Sequence, residues 1–205
     1  LAQFDDEKDN YLITLSGCLS GSYNAAMQAR AIYREEGGAA NVHVFNSRSA
    51  SAGQVQVALL IRELAGQGLA FHQVVEQVEA YIDRMQTTFV LENLENLRKN
   101  GRLTKVQSLV TGALRVKLLM GSTEKGEIRK RGQGLSIRQT LARMVSHMAD
   151  CGDHGGRRLV IAHCNCLERA EYVRELARQR CQFGEILIVP TGGISTVYAN
   201  DGGVI

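Results

Sequence analysis

Ser16, Gly17, Ser20, Gly21 and Ser22 follow an apolar run of Tyr11, Leu12, Ile13 and Leu15, and they precede a stretch of helical composition. Hydroxyls bring hydrogen-bond donors without charge, and glycine lets a backbone N–H come close to an anion. A helix start adds free N–H groups and the positive end of a dipole. The chemistry within reach of this set is the holding of an anion or carboxylate, centred on Ser20 with Gly21 and Ser22 behind it. Ser20 also qualifies as an N-cap, Ser22 qualifies better, and Ser16 suits holding the loop. A second loop of the same make follows Val42–Phe45 and carries Asn46, Ser47, Ser49 and Ser51 before Gly53. Capping of the next helix accounts for most of those hydroxyls, with Ser47 kept as a ligand candidate. Arg102 and Lys117 are cations able to draw in an acid head group or to dock a partner. The competing role for both is that of an ordinary solvated surface charge.

Other chemistries find less support. There is no G-x-G-x-x-G after a strand, no G-x-x-x-x-G-K-[ST] and no paired carboxylate in a loop, which disfavours a phosphate cradle. Leu19-Ser20-Gly21 lacks the G-x-S-x-G frame of a hydrolase elbow. An enzyme acting on a phosphorylated or carboxylated small molecule at the Ser/Gly loops is the alternative to simple binding. His163, Cys164 and Cys166 resemble half a metal site, but only Cys151 and His154 stand as a second pair, so no metal is expected. Arg98, Lys99, Arg102 and Lys105, with Arg129, Lys130 and Arg131, are too scattered for a nucleic-acid module. The aromatic content of 5% and net charge of +3 offer little more to one.

The elements that must position these residues alternate. Tyr11–Leu15 and Val42–Phe45 read as strands, and Asn24–Glu36 and Gln54–Ala65 as helices ended by Gly37, Gly38 and Gly66. Strand, helix, strand, helix argues for parallel strands, with both polar loops at one edge of the sheet. Ala70–Asn100 reads as a long helical stretch broken near Thr87 and Thr88, with Phe89, Leu91, Leu94 and Leu97 at helical spacing. Val110–Met120 reads as a half-buried strand through Leu114, Val116 and Leu118, turning at Gly121–Gly126 into a returning strand at Glu127–Arg131. Ile137–Met148 and Leu167–Arg180 read as helices, and Leu159–His163 and Glu185–Val189 as buried strands. Leu1–Asn10 reads as the tail of a helix, so the first domain is expected to be incomplete. The expected class is α/β. It comprises a parallel-sheet, Rossmann-like N-terminal domain over 1–70 and, over 71–205, a helical connection with a mixed-sheet C-terminal domain.

With 205 residues, 44% hydrophobic and 22% charged, the chain has the composition of a globular protein with room for one large core or two small ones. No apolar run is long enough to span a bilayer. LAQFDDEKDN lacks the basic start and apolar middle of a signal peptide. Five cysteines without framework spacing fit reduced thiols. A cytoplasmic protein is expected.

Several stretches taken together resemble the DegV family of bacterial fatty-acid-binding proteins. The family's S-S-x-L-S-G-T-Y loop is matched by Ser16-Gly17-Cys18-Leu19-Ser20-Gly21-Ser22-Tyr23. Its strand ending in Asp-Ser is matched by Val44-Phe45-Asn46-Ser47, with asparagine where aspartate is usual. Its Gly-Gly-Arg helix end is matched by Asn100-Gly101-Arg102, and its lysine-bearing strand by Val116-Lys117-Leu118-Leu119, with leucine where proline is common. The hairpin matches Gly121 to Arg131, and His163 and the helix after it also fall in register. The resemblance covers nearly the whole chain.

It implies two α/β domains of the DegV (EDD) type and a single long-chain fatty acid bound between them as ligand, with no cofactor. The carboxylate is then held by the serine matching Ser20 and by the amides of Gly21 and Ser22. Burial of the acyl chain supplies about 0.8 kcal/mol per methylene. Some members present the acid to a separate fatty-acid kinase, the carrier itself not being the catalyst. A threonine-bearing loop is expected ahead of residue 1. The family's C-terminal histidine is replaced within Ala199-Asn200-Asp201-Gly202-Gly203, which makes Asn200 a substitute donor.

Overall fold

The computed structural model describes residues 4–103, 116–152 and 154–205. The chain divides into two units, the first made of 1–85 and 124–127 and the second of 86–123 and 128–205.

In the first unit, β1 (Asn10–Thr14) and β2 (Val42–Asn46) pair in parallel, from Asn10 opposite Val42 to Thr14 opposite Asn46. Helix α1 (Ser22–Glu35) joins them, and α2 (Ala52–Gly66) and α3 (Phe71–Arg84) follow. The parallel pairing expected from the alternation is present, and it brings both polar loops off the same end of the strand pair. Val57, Ile61 and Leu64 of α2 meet Val74, Val78 and Ile82 of α3 and Phe45 of β2 in one core. That packing places α3 in the first unit, so the division falls after Met85 rather than after residue 70. Helix α1 buries only Tyr33 fully, while Ile32 is 43% exposed. Gly37, at φ +90°, ends it as expected, because the left-handed turn there strains any residue with a Cβ. The described start of the chain is a turn rather than a helix. Lys8 N–H donates to Asp5 O, and the Asn10 side chain closes onto Asp5 and Lys8 carbonyls.

In the second unit, β3 (Thr88–Val90), β4 (Lys117–Ser122) and β5 (Ile128–Gly134) form an antiparallel sheet in that order. β6 (Arg158–His163) and β7 (Glu185–Pro190) form a parallel pair. The extended C-terminus joins these groups, since Val204 bridges both Val90 and His163. The unit is therefore α/β with mixed pairing. Its helices among the described residues are α4 (Glu95–Lys99), α5 (Ile137–Asp150), α6 (Leu167–Arg180) and α7 (Gly193–Ala199). Leu141, Met144 and Val145 of α5 face inward as their spacing predicts, against Ala170, Val173 and Ala177 of α6.

Two sequence expectations fail here. Thr88–Val90 lies in a strand, not a helix, because Thr88 and Val90 pair with Gly121 and Leu119 across the sheet. A partner that distant in sequence overrides local helical spacing. β4 is buried over Leu118–Gly121 rather than alternating, and a register shift falls at Leu119/Met120. The Val110–Arg115 part of the expected strand lies outside the described residues.

Candidate functional site

The loops after β1 and β2 are tied together by a small set of buried polar groups. Ser16 is fully buried; its N–H donates to Ser49 O at 2.8 Å, and its carbonyl accepts from Leu19 N (2.9 Å) and Ser20 N (3.0 Å). Asn46 Oδ1 accepts from Gly17 N and from Arg48 N, each at 3.1 Å, and so serves both loops at once. Arg48 and Ser51 both sit at positive φ, 49° and 50°, a strained backbone held by this network. Arg48 also reaches Asp83 of α3 at 2.7 Å, and His43 Nε2 lies 2.9 Å from Glu79 Oε1 one turn earlier on the same helix.

Ser20 lies two residues before the first residue of α1 (Ser22–Glu35). Its Oγ accepts from Ser22 N at 3.2 Å, which uses a lone pair and leaves the proton. Neither Ser20 nor Ser22 is the N-cap of α1. That position is Gly21, which makes no side-chain cap bond, and Ala25 N closes the first helical bond to Gly21 O. The expectation that Ser22 caps the helix is thus overturned. As the first helical residue, its Oγ is buried with no hydrogen-bond partner. An orphaned buried hydroxyl costs free energy unless something meets it.

Ser47 stands beside this group but is fully buried, and its hydroxyl is spent on its own loop, donating to Ser49 O and accepting from Ser49 N at 3.2 Å. That gives Ser47 a bracing role. Ser51 occupies the N-cap position of α2 without making a side-chain cap bond.

Lys117 and Asn200 belong to the second unit. Lys117 Nζ lies 2.6 Å from Glu92 Oε2 and 2.9 Å from Glu92 O, while Arg169 reaches the other carboxylate oxygen at 2.7 Å. Burial pushes the Glu92 carboxyl up, and the hydrogen bonds from Lys117 and Arg169 outweigh it, leaving the group below its ordinary value. The lysine's charge is matched inside the unit. Asn200, at φ 55°, accepts from Asn96 Nδ2 at 2.8 Å through its Oδ1, beside the Asn96 bond to Val197 O. Arg102 lies over the Tyr198 ring at 5.9 Å.

Cys164 and Cys166 are buried, Cys166 N donates to His163 Nδ1 at 3.3 Å, and burial raises the Cys166 thiol. Among the described residues no three His, Cys, Asp or Glu side chains gather as a metal site, and no helix is long and apolar enough to cross a membrane.

The sequence marks a hairpin turn at Gly121–Gly126, but not that residues 124–127 of it meet the serine loop. Gly126 O accepts from Ser16 Oγ at 2.8 Å and Lys125 O from Cys18 Sγ at 3.2 Å. A glycine in a hairpin turn is ordinary, and nothing local signals a partner 110 residues away.

A family model described as an uncharacterised protein of the DegV family matches residues 2–204. The chain belongs to the DegV family. A DegV domain-containing protein of Streptococcus pneumoniae is 32% identical over 206 residues, covering all of this chain and 73% of that one. Among solved structures, a DegV family protein of Ruminococcus gnavus with vaccenic acid is 48% identical with a TM-score of 0.91, over 96% of this chain and 70% of its own. A DegV family protein of Eubacterium eligens loaded with heptadecanoic acid is 26% identical (TM-score 0.86, 96% and 71%). The Streptococcus pneumoniae Fatty Acid Kinase (Fak) B3 protein loaded with linoleic acid is 31% identical (TM-score 0.85, 95% and 69%). The DegV resemblance seen in the serine loop and hairpin is thereby borne out.

Proposed function

We propose that this DegV chain binds one long-chain fatty acid and carries it without transforming it. The carboxylate is met by the Ser20 hydroxyl and by backbone N–H groups at Gly21 and Ser22, and the acyl chain lies against apolar side chains. The observation that supports this most directly is the half-used hydroxyl of Ser20: its lone pair is taken by Ser22 N–H, so its proton is available to an anion at the start of α1. The buried, partnerless Ser22 Oγ supplies a second polar group for the same anion. Relatives holding vaccenic, heptadecanoic and linoleic acid agree in ligand class. Ser47 braces its own loop, while the bonds of Lys117 and Asn200 stay within the second unit.

A carrier rather than an enzyme fits the surroundings of Ser20. Among the described residues no histidine or carboxylate is hydrogen-bonded to its hydroxyl, so no base activates it. The two units are read as two domains, the first of Rossmann-like (EDD) type and the second a mixed α/β domain, in a cytoplasmic protein. The name of the Streptococcus pneumoniae relative makes a fatty-acid kinase the natural recipient of the bound acid. Native mass spectrometry of protein purified from a bacterial host tests the proposal. A bound C16–C18 fatty acid, or uptake of added oleate, is expected; protein that is empty and takes up none would overturn it.

A further inference from the structure

Resting on the fatty-acid reading, we propose that the turn at 124–127 is a positioning element of the head-group site, with Gly126 its required residue. Three observations carry this. The turn counts with the first unit, not with the strands it connects. It offers two successive carbonyls to the Ser20 loop: Gly126 O accepts from Ser16 Oγ at 2.8 Å, and Lys125 O from Cys18 Sγ at 3.2 Å. It also sits hard against the second loop, because a Cβ on Gly126 would come within 2.4 Å of Ser16 Oγ, 2.7 Å of Arg48 Cα and 2.9 Å of Arg48 O.

Ser16 is the link to the ligand. Its hydroxyl is held by the turn and also accepts from Cys18 N at 3.2 Å, while its carbonyl accepts from Ser20 N at 3.0 Å. The direction of the Ser20 hydroxyl therefore depends on where Ser16 is held, and one of the groups holding it comes from the turn. Gly126 has φ +82°, so a larger residue there meets both a strained backbone and occupied space. Backbone atoms of Arg48 cannot swing aside as a side-chain tip would. Substitution must move the turn away and release Ser16.

Gly126→Ala and Ser16→Ala test this by titration with oleic acid and with methyl oleate, which has the same chain and no carboxylate. Fluorescence or calorimetric titration of the unaltered chain is expected to favour the acid. Each variant is expected to lose about 10-fold in affinity for the acid while keeping its affinity for the ester, so that the acid/ester ratio collapses. An equal loss for both ligands, or no loss for either, would overturn the proposal. Should Gly126→Ala fail to fold, Ser16→Ala decides alone, since it removes the bond to the turn without overfilling the site. Unaltered protein that binds neither ligand would overturn the fatty-acid reading itself, and this inference with it.

Discussion

Ser20 and Ser47 look alike in sequence, each a serine in a small polar loop after a strand, yet only one has hydrogen-bonding capacity left. Ser47 spends its hydroxyl on Ser49, whereas Ser20 keeps its proton. Ser20→Ala is therefore expected to weaken oleate binding about 10-fold or more, the worth of one hydrogen bond to a charged group, in a direct titration. Ser47→Ala acts on loop stability, not on a ligand contact. Asn46 is the other residue whose part is set by geometry, because its Oδ1 serves Gly17 N and Arg48 N together. Asn46→Ala is expected to cost about 1–2 kcal/mol in urea unfolding. Asn46→Asp, which keeps the acceptor, should recover most of it; equal losses in the two variants would mean that the acceptor is not what matters.

At the scale of elements, the second unit is fastened by the clamp of Glu92 between Lys117 of β4 and Arg169 of α6. Arg169 extends that clamp to the turn after α7 through Gly202 O at 2.6 Å. The Glu92 carboxyl is lowered in the folded chain, so unfolding takes up protons there as the pH drops. Its contribution is complete above the unfolded carboxyl's value, about 4.3, and is lost as the pH falls through the lower folded value. Glu92→Gln is expected to cost about 2 kcal/mol at pH 7 and distinctly less at pH 3, read as urea midpoints at the two pH values. A loss that does not change with pH would show that packing, not charge, holds the segment after β3 to β4 and α6. Elements also account for the main misreading of the sequence. Phe89, Leu91, Leu94 and Leu97 keep helical spacing, but Thr88–Val90 is claimed by β4 on one side and Val204 on the other.

For the whole molecule, each unit has a core of its own, one around Phe45, Val57, Val74 and Val78 and the other around Val90, Leu141, Ile161 and Val173. A ligand held by the loops after β1 and β2 stabilises whatever must be folded to hold it. At a concentration 100 times its Kd the gain is about 2.7 kcal/mol. Hydrogen exchange with and without oleate is expected to show added protection across 14–23, 46–53 and 124–127. Protection confined to the second unit would place the head group elsewhere.

The strand–helix alternation, the parallel pairing of the first two strands and the polar loop after the first of them were legible in the amino-acid sequence. Each depends on periodicity or loop composition within a few neighbouring residues. What the tertiary structure decided depends on partners far apart: Thr88–Val90 as a strand, α3 as part of the first unit, the Glu92 clamp, and Asn46 and Gly126 as braces of the loop. Local spacing carries no record of such partners. A glycine in a turn reads the same whether it meets water or, as Gly126 does, the buried hydroxyl of Ser16.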